Sequence, residues 1–435
     1  MTTQRTPTIS ADDAVARIQS GMRVFVTGNC SFPHTLMQAL VKRAPQLSNV
    51  EIIQVLTIGS SDYARPEMEG HLRINTLFIS GNVRQAVNEG RADFTPVRLS
   101  EIPMLFRSGA VPLDVAMIHV SPPDAHGFCS YGVEVGVSKA AAETARLVIA
   151  QVNPQMPRTL GDSFIHISKI DYAVEVDYPL DGFDTGDSGA QSMALNRQIG
   201  ARIAGMIRDG DCLQLGIGGI PNGVLPFLKE KRDLGIHSEL FSDGIIDLVE
   251  RGVINGERKN QHPGKIIAGF CLGSQRLYKW VHDNAMIELR PTEYVNDSMV
   301  ISRNNNMVAI NSALEVDLTG QVCADSIGTR LYSGIGGQLD FIRGAAHSKG
   351  GRPIIALPSS AVLKDGQRVS RITATLKEGA GVTVPRYDIH YVITEYGVAD
   401  LYGKTLRQRA RALINIAHPE FRAELERSAD ALNYW

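Results

Sequence analysis

The tetrapeptide Gly-Ile-Gly-Gly occurs twice in the second half of the chain, at residues 216–219 and 334–337. Each copy follows a short run of apolar or β-favouring residues and precedes a segment that can form a helix. A glycine turn in such a place lets the backbone approach a ligand closely and directs free N–H groups at negative charge. The two turns favour a ligand held at two points, or one binding point and one point that stabilises an oxyanion.

A candidate catalytic carboxylate lies between the two turns, in residues 237–244 (HSELFSDG). Glu239 is that candidate, although an acidic residue between two serines also fits the first turn of a helix near its N-cap. Asp243-Gly244 fits an ordinary turn. Cys271 fits a buried thiol better than a nucleophile, because no histidine and asparagine or aspartate partners lie near it in the sequence.

Several functional classes are excluded by composition and by missing motifs. The first glycine turn does not form the dinucleotide-binding fingerprint G-x-G-x-x-G, because Pro221 and Asn222 follow it, and this argues against a nicotinamide dehydrogenase. The sequence also lacks G-x-x-x-x-G-K-[ST], the P-loop of nucleotide-binding proteins. The five cysteines are far apart and form no CxxC, which argues against a zinc or iron–sulfur site and fits a reducing compartment. A net charge of −2 gives no reason to expect nucleic acid or an anionic membrane as a partner. With no apolar signal region and no membrane-length apolar run, the sequence predicts a cytoplasmic protein.

The 435 residues are too many for one ordinary core, so two domains are expected. Strand-like and helix-like segments alternate, which predicts mostly parallel sheets with helices on their faces. The stretch 178–189 (YPLDGFDTGDSG) is the candidate linker, with domains at 1–185 and 186–435. The segments that support this α/β interpretation are the strands 23–27, 50–56, 74–79 and 114–120 and the helices 35–42 and 190–208.

The two halves also resemble each other weakly. Gly28 and Pro33 follow a strand with the same spacing as Gly216 and Pro221. Residues 113–120 and 387–394 form a second candidate pair of matching strands. This pattern predicts a duplicated α/β domain, with the ligand site in the cleft between the two copies, beyond the carboxyl ends of strands.

Longer segments, in this order along the chain, resemble the acetyl-CoA hydrolase/transferase family of family I CoA-transferases. Within that family the chain most resembles the 4-hydroxybutyrate and butyryl-CoA:acetate CoA-transferases. The matching segments are 119–130 (HVSPPDAHGFCS), 153–163 (NPQMPRTLGDS), 216–222 (GIGGIPN), 237–244 (HSELFSDG), 311–322 (NSALEVDLTGQV), 333–341 (SGIGGQLDF), 393–399 (ITEYGVA) and 406–410 (LRQRA).

The resemblance implies two open α/β domains of the CoA-transferase fold and a ping-pong transfer of coenzyme A, with the family's catalytic glutamate at Glu239. Its carboxylate attacks an acyl-CoA thioester, and a glutamyl-CoA thioester forms through an anhydride. Coenzyme A and acyl-CoA are then substrates, and no tightly bound cofactor or metal is expected.

The family pattern also implies which residues contact coenzyme A. Gly337 or the first loop would supply oxyanion donors, and Lys364 would meet a phosphate or the acyl carbonyl, although residues 359–370 also fit a loop with an ordinary lysine. Glu395 is a candidate for positioning the substrate. The residues implied for coenzyme A are Gly216, Ile217, Gly218, Gly219, Ile220, Asn311, Leu314, Gly336, Gly337 and Lys364.

The chain departs from the family pattern after its first strand. Relatives tend to have a Gly-His-Ala-…-Gly-Glu-Pro segment, whereas this chain has residues 28–34 (GNCSFPH). The family builds part of its acyl or acceptor pocket there, so Asn29, Phe32 and His34 are the candidate substrate-binding residues. The implied acid is a short-chain one such as acetate, butyrate or 4-hydroxybutyrate. The alternative is a dicarboxylate such as itaconate or succinate, paired through His34 or Arg84.

Two other functions stay open at this point. An acyl-CoA hydrolase would use the same intermediate and let water complete the reaction, and the choice between them depends on how well the site excludes water. A regulatory protein that binds coenzyme A or a nucleotide would keep the fold and lose the chemistry, and the complete motif around Glu239 argues against it. Homo-oligomerisation, as a dimer or a tetramer, is expected from the apolar faces of two α/β domains.

Overall fold

A computed structural model of the chain describes residues 6–183 and 189–434. These residues form two compact units. The first contains the residues up to 183 together with Ile267–Val295, and the second contains residues from 189 to 266 together with those from 296 onward. The predicted domain boundary, between 185 and 186, lies outside the described residues, as do residues 184–188 of the predicted linker.

The first unit contains a parallel sheet in the order β4-β3-β2-β1-β5-β6-β7. Val24 of β1 lies opposite Ile52 of β2 on one side and Val115 of β5 on the other. All six residues of β5 are buried, as expected for a parallel strand covered on both faces. The strands are β1 (Arg23–Val26), β2 (Val50–Gln54), β3 (Leu72–Thr76), β4 (Ala92–Phe94), β5 (Val115–Val120), β6 (Leu147–Val152) and β7 (Tyr172–Glu175).

The late segment Ile267–Val295 is bonded to the earlier part of the first unit through its backbone. The N–H of Leu289 donates to the carbonyl of Leu160 at 2.8 Å, and that of Thr292 donates to Gly136 at 3.0 Å. Short strands of this unit are Phe128–Ser130, Phe164–His166, Phe270–Cys271 and Ile287–Leu289, and Ile266–Ala268 leads into the late segment. Its α-helices are Ala11–Val15, His34–Arg43, Arg84–Asn88, Ile102–Arg107, Ser138–Thr144, Gln275–Val281 and Thr292–Val295, with 3-10 turns at Ala44–Gln46, Asp62–Ala64, Pro66–Met68, Leu99–Glu101 and Ile167–Lys169.

The sheet strands of the second unit run in the order β9-β8-β10-β11-β12-β13. Neighbours from β9 to β12 are parallel, and β13 is antiparallel to β12. The strands are β8 (Cys212–Leu215), β9 (Gly235–His237), β10 (Met307–Ser312), β11 (Arg352–Ala356), β12 (Tyr391–Thr394) and β13 (Gly397–Asp400).

Helices and short hairpins complete the second unit. Thr405 and Gln408 form a capping box that begins the helix Leu406–Ile416, and the apolar face of this helix joins a core with Ile355 and Val392. The helices are Ala190–Met206, Gly219–Val224, Ile246–Glu250, Ser298–Ser302, Gln338–His347, Leu406–Ile416 and Pro419–Ala431, with 3-10 turns at Leu225–Leu228 and Asp243–Ile245. The short strands are Leu240–Phe241, Glu315–Asp317, Val322–Cys323, Ser326–Ile327, Arg330–Leu331, Ser360–Val362, Arg368–Ser370 and Ile372–Thr373. Among the described residues, no helix has the length and apolar character needed to cross a bilayer.

The two units follow the same plan around their first strand. In each, the first strand lies between the second strand and a later one: β1 between β2 and β5, and β8 between β9 and β10. This confirms the predicted pair of α/β folds, and residues 28–33 and 216–221 both follow the first strand of their sheet. The predicted match of residues 113–120 with 387–394 is wrong, because β5 is bonded to the first strand of its sheet whereas β12 is separated from β8 by β10 and β11. The strand in the position of β5 is β10.

Candidate active site

The parallel strands of the second unit bring several predicted site residues to one edge of the sheet. Carboxyl ends of parallel strands meet at the same edge, and ligands of such sheets bind there, where the strand order reverses. The loop from Gly216 follows β8, Glu239 follows β9, Asn311 lies near the end of β10 and Glu395 follows β12. The reversal of strand order falls at β8, between β9 and β10.

Ser238 fixes the end of β9 against the end of β8. Its hydroxyl donates to the carbonyl of Leu215 at 3.1 Å and accepts from the N–H of the same residue at 3.3 Å. The side chain is fully buried, so these bonds are shielded from water. Ser238 therefore places Glu239 beside the start of the first glycine loop.

The Glu239 carboxylate is held by two donors of its own unit. Asn296, which is buried, donates from Nδ2 to Oε2 at 2.9 Å, and the backbone N–H of Gly337 also donates to the carboxylate. A Cβ atom at residue 337 would lie 2.0 Å from Oε2 of Glu239 and 2.1 Å from Nδ2 of Asn296, so a larger residue would force both side chains out of this arrangement. The second Gly-Ile-Gly-Gly is therefore a close approach of backbone to carboxylate, and not solely a turn before the helix Gln338–His347.

Burial raises the pKa of Glu239 to about 6, and the hydrogen bonds from Asn296 and Gly337 oppose that rise. With a pKa near 6, roughly nine-tenths of the carboxyl groups are ionised at pH 7. The residue is nevertheless partly exposed. An ionised, oriented and accessible carboxylate is suited to nucleophilic attack, with Oε1 as the oxygen that Asn296 leaves available.

The first Gly-Ile-Gly-Gly combines packing with open space. Gly218 has φ 116°, a conformation that favours glycine, and a Cβ there would meet nothing within 4 Å. A Cβ at Gly219 would lie 2.1 Å from Nδ2 of Asn196, so this glycine admits the helix Ala190–Met206. Gly216 has Pro221 Cγ as its nearest neighbour at 4.0 Å. Packing therefore accounts for Gly219, and it leaves Gly216 and Gly218 free to face a ligand.

The other residues predicted to contact coenzyme A have varied surroundings. Asn311 donates to Gln214 Oε1 at 3.0 Å, and the N–H of Leu314 donates to the carbonyl of Cys323 at 2.8 Å. Lys364 is exposed in the turn between the strands Ser360–Val362 and Arg368–Ser370. Ile217 is partly exposed, Ile220 is buried, and Gly336 has φ 55°. These contacts do not test the binding of coenzyme A, which stays a prediction for these residues.

Glu395 has both carboxylate oxygens engaged. Ser359 donates to it from the backbone at 2.9 Å and from the hydroxyl at 2.5 Å. This pair joins the segments that follow β11 and β12. A role of Glu395 in positioning substrate stays a prediction.

The predicted substrate residues of the first unit lie at the carboxyl end of β1. Asn29 is buried at φ 54° and donates from Nδ2 to the carboxylate of Glu134. Phe32 is buried, and Nε2 of His34 lies 2.6 Å from Oδ2 of Asp181. Phe32 and His34 line a cavity of about 250 Å³.

Sequence reasoning missed the partners of these side chains. Asn296 and Asp181 contact Glu239 and His34 from 57 and 147 residues away along the chain. No motif spacing marks such pairs, because sheet topology brings them together. The predicted burial of Cys271 is confirmed. Among the described residues, no group of three or more His, Cys, Asp or Glu side chains could hold a metal ion.

Two family models match most of the chain. The model of the acetyl-CoA hydrolase/transferase N-terminal domain matches residues 4–179. The model of the acetyl-CoA hydrolase/transferase C-terminal domain matches residues 273–429.

Individual proteins are similar over nearly the whole length. The 4-hydroxybutyrate coenzyme A transferase of Clostridium kluyveri is 51% identical over 96% of this chain and 96% of its own. The succinyl-CoA:acetate/propanoyl-CoA:succinate CoA transferase of Fasciola hepatica is 43% identical over 97% of this chain and 87% of its own. The crystal structure of a 4-hydroxybutyrate CoA-transferase from Porphyromonas gingivalis superposes with a TM-score of 0.83 at 41% identity, and the match covers 99% of this chain and 98% of that one.

Proposed function

Because the chain belongs to the acetyl-CoA hydrolase/transferase family, we propose that it transfers coenzyme A between an acyl-CoA and a free carboxylate through Glu239. The observation that carries this proposal is that the Glu239 carboxylate is both fixed in orientation and largely ionised. It is fixed by Asn296 and Gly337, and its pKa of about 6 leaves it largely ionised at neutral pH.

The reaction proceeds by two exchanges on the same carboxylate. Oε1 of Glu239 attacks the thioester carbonyl, the C–S bond breaks, and an acyl-glutamyl anhydride and the thiolate of coenzyme A result. The thiolate attacks the glutamyl carbonyl, which releases the first acid as its carboxylate and leaves a glutamyl-CoA thioester. An incoming carboxylate repeats these steps in reverse and leaves as the new acyl-CoA. Because every nucleophile and leaving group is a carboxylate or a thiolate, the free energy of the thioester is retained.

The two donors to Glu239 acquire a second role during this sequence. When the thiolate attacks the glutamyl carbonyl, negative charge develops on the glutamyl oxygen. The N–H of Gly337 and Nδ2 of Asn296 already point at that carboxylate, so they stabilise the oxyanion without reorganisation. Donors of this kind are worth about 10²–10³-fold in kcat each.

Coenzyme A is proposed to bind along the carboxyl edge of the second sheet. Gly216 and Gly218 support this placement, because their missing side chains face open space. The full proposed set is Gly216, Ile217, Gly218, Gly219, Ile220, Asn311, Leu314, Gly336, Gly337 and Lys364. No other cofactor is proposed.

The acid is proposed to be a short-chain carboxylate such as acetate, butyrate or 4-hydroxybutyrate, with a dicarboxylate such as succinate or itaconate as the alternative. Names of relatives that include 4-hydroxybutyrate and succinate support this range. Asn29, Phe32, His34 and Glu395 are the proposed acid-binding residues. A cytoplasmic homo-oligomer, a dimer or a tetramer, completes the proposal, and its stoichiometry is measurable by light scattering.

Trapping the intermediate tests the role of Glu239 directly. Enzyme mixed with acyl-CoA alone accumulates the glutamyl-CoA thioester, and borohydride reduces that thioester to an alcohol. Mass spectrometry should then find a lowered mass in the peptide that contains Glu239, and not in enzyme reduced without acyl-CoA. An unmodified Glu239 peptide under turnover conditions would remove the covalent mechanism.

The same enzyme separates transfer from hydrolysis. Release of coenzyme A from acyl-CoA is measured with and without a carboxylate acceptor. A transferase requires the acceptor for sustained turnover. Equal rates in the two conditions would identify a hydrolase.

A further inference from the structure

Arg371 places a cation at the carboxyl edge of the second sheet. Its N–H donates to the carbonyl of Ser359 at 2.9 Å, and its own carbonyl accepts from the N–H of Val316 at 2.9 Å. Ser359 is buried and belongs to the segment that follows β11. The backbone of Arg371 is therefore fixed at the edge of the sheet where Glu239 also lies, and where ligands of parallel sheets bind.

The carboxylates beside Arg371 are engaged by other groups. Both oxygens of Glu395 accept hydrogen bonds from Ser359. Glu315, in the neighbouring short strand, accepts from the N–H of Lys377 at 2.9 Å and lies 3.4 Å from its ammonium group. Among the described residues, none forms a hydrogen bond or an ion pair with the guanidinium of Arg371. Its five N–H donors therefore have no acceptor in this part of the chain.

The guanidinium is partly withdrawn from water and still accessible. Burial lowers the pKa of Arg371, whereas the nearby Tyr332 and Glu395 side chains raise it. The residue is nevertheless partly exposed, and an arginine stays charged at neutral pH. A desolvated cation without a partner costs free energy that a bound anion would offset. The remaining exposure lets such an anion reach it.

Three segments that carry proposed coenzyme A residues come together beside Arg371. Tyr332, whose charge acts on Arg371, is 40% exposed and directly precedes residues 333–337 (SGIGG). Lys364 lies in the turn of the hairpin that ends one residue before Arg371. Leu314 belongs to the segment whose backbone is bonded to Arg371. Coenzyme A carries its negative charge on phosphate groups, and a guanidinium matches two phosphate oxygens with parallel hydrogen bonds.

We propose that the guanidinium of Arg371 binds a phosphate group of coenzyme A, as a further substrate-binding residue of the second unit. This inference rests on the proposed transfer of coenzyme A. The carboxylate of the acid is another source of paired oxygens. The segments beside Arg371 are those proposed for coenzyme A, which favours the phosphate.

Ligands with different phosphate content test the proposal without any turnover. Calorimetry measures the binding of coenzyme A and of dephospho-coenzyme A, which lacks the 3′-phosphate. Ligand-observed NMR measures pantetheine, which has no phosphate. Arg371→Met should weaken coenzyme A binding by about 10–100-fold, the loss expected for charged hydrogen bonds, and should leave pantetheine binding within about twofold of native. An equal loss with dephospho-coenzyme A would identify the pyrophosphate, and no loss would identify the 3′-phosphate.

Two further variants serve as controls. Arg371→Lys keeps the charge and loses the planar fork, so its affinity for coenzyme A should lie between those of the native protein and of Arg371→Met. Arg368→Met makes the same chemical change three residues earlier, at an arginine that bonds Ser360 at 3.1 Å and lies 3.8 Å from Glu420. Its affinity should stay within about twofold of native. Without ligand, Arg371→Met should melt at or above the native temperature, because it removes an unpaired, desolvated charge.

The results distinguish this inference from the proposed function. Weaker binding of coenzyme A in Arg371→Met, with native binding of pantetheine, supports it. The same loss with pantetheine or in Arg368→Met, or a melting temperature several degrees below native in Arg371→Met, would overturn it. Native affinity for coenzyme A with weaker binding of acetate would assign the guanidinium to the acid and also overturn it. If coenzyme A binds through Arg371 and no transfer occurs, the proposed function fails and this assignment stands.

Discussion

Gly28 and Gly216 both lie in the turn that follows the first strand of their sheet, yet their surroundings differ. A Cβ at residue 28 would lie 2.2 Å from the carbonyl oxygen of Leu56, which follows β2. A Cβ at residue 216 would have its nearest neighbour 4.0 Å away. The loop after β1 is therefore packed against the backbone of the segment after β2, whereas the loop after β8 faces free space.

The difference shows how the same strand arrangement is used in two ways, with a packed turn in the first unit and an open turn in the second. In the first unit the space beside Gly28 is occupied by the backbone of Leu56, and Asn29 and Phe32 of the same turn are buried. In the second unit a Cβ at Gly216 would have no neighbour closer than 4.0 Å, and the carboxylate that follows the next strand has two fixed donors. Side-chain bulk at the first position suits discrimination between acids, and open backbone at the second suits a large ligand and a reaction.

Among the substitutions considered, removal of the proposed nucleophile of the second unit should have the largest effect on activity. Glu239→Ala is expected to lower kcat by about 10⁴-fold or more, because the covalent route is lost. Folding should change little, since the side chain is not part of an apolar core. Steady-state kinetics and thermal unfolding check the two statements, and a variant with more than a tenth of native turnover would contradict the assignment.

Gly337→Ala tests whether the second unit depends on close approach to the carboxylate. Its φ of −95° is allowed for alanine, so the effect should come from the clash with Oε2 of Glu239 and not from backbone strain. We expect kcat to fall by about 10²-fold or more while the fold is kept. Native kcat in a folded variant would show that Glu239 does not need this neighbour.

The pH dependence of kcat/KM should follow the ionisation of Glu239, whose pKa is set by its surroundings. With a pKa of about 6 in the free enzyme, kcat/KM should decrease about tenfold per pH unit below that value, because the protonated carboxyl is not a nucleophile. Asn296→Ala removes a donor that favours the ionised form, so the acidic limb should move to higher pH. An unchanged limb in that variant would assign the limb to another group.

Gly28→Ala and Gly216→Ala compare the two loops directly. The first should lower the free energy of unfolding by about 1–3 kcal/mol, because the Leu56 carbonyl must move, and should alter the activity of the folded enzyme less. The second should leave the unfolding free energy within about 0.5 kcal/mol of the native value and raise KM for acyl-CoA. Denaturant titration and kinetics on both proteins provide the measurement. If Gly28→Ala and Gly216→Ala changed the free energy of unfolding equally, the distinction between a packed loop after β1 and an open loop after β8 would be wrong.

The smallest expected effect is the change in the free energy of unfolding with pH that results from the titration of Glu239. Folding raises the pKa of Glu239 from 4.5 to about 6, so the native state of the wild-type protein loses up to about 2 kcal/mol as pH rises from 4.5 through 6. Glu239→Gln has no such proton to lose. Its stability relative to the native protein should therefore be higher by about 1–2 kcal/mol at pH 8 than at pH 4. A constant difference across that range would mean that Glu239 titrates as an exposed carboxyl.

The sequence predicted the fold class, the family and the two glycine turns, because each depends on local patterns of residues. It did not predict that Gly219 packs against Asn196, or that Asn296 donates to Glu239, since both contacts depend on how distant segments meet. The mistaken match of residues 387–394 has the same cause. An apolar run identifies a buried strand such as β12, but its neighbours in the sheet are decided by the whole topology.

Ser238 has a mechanical consequence. Since one buried hydroxyl joins the ends of β8 and β9, the start of the glycine loop and the residue before Glu239 are fixed to each other by one side chain. The positions of the proposed coenzyme A loop and of the proposed nucleophile therefore depend on the same contact. Redesign for a new acid is accordingly safer in the first unit, where exchanges around His34 leave this linkage intact.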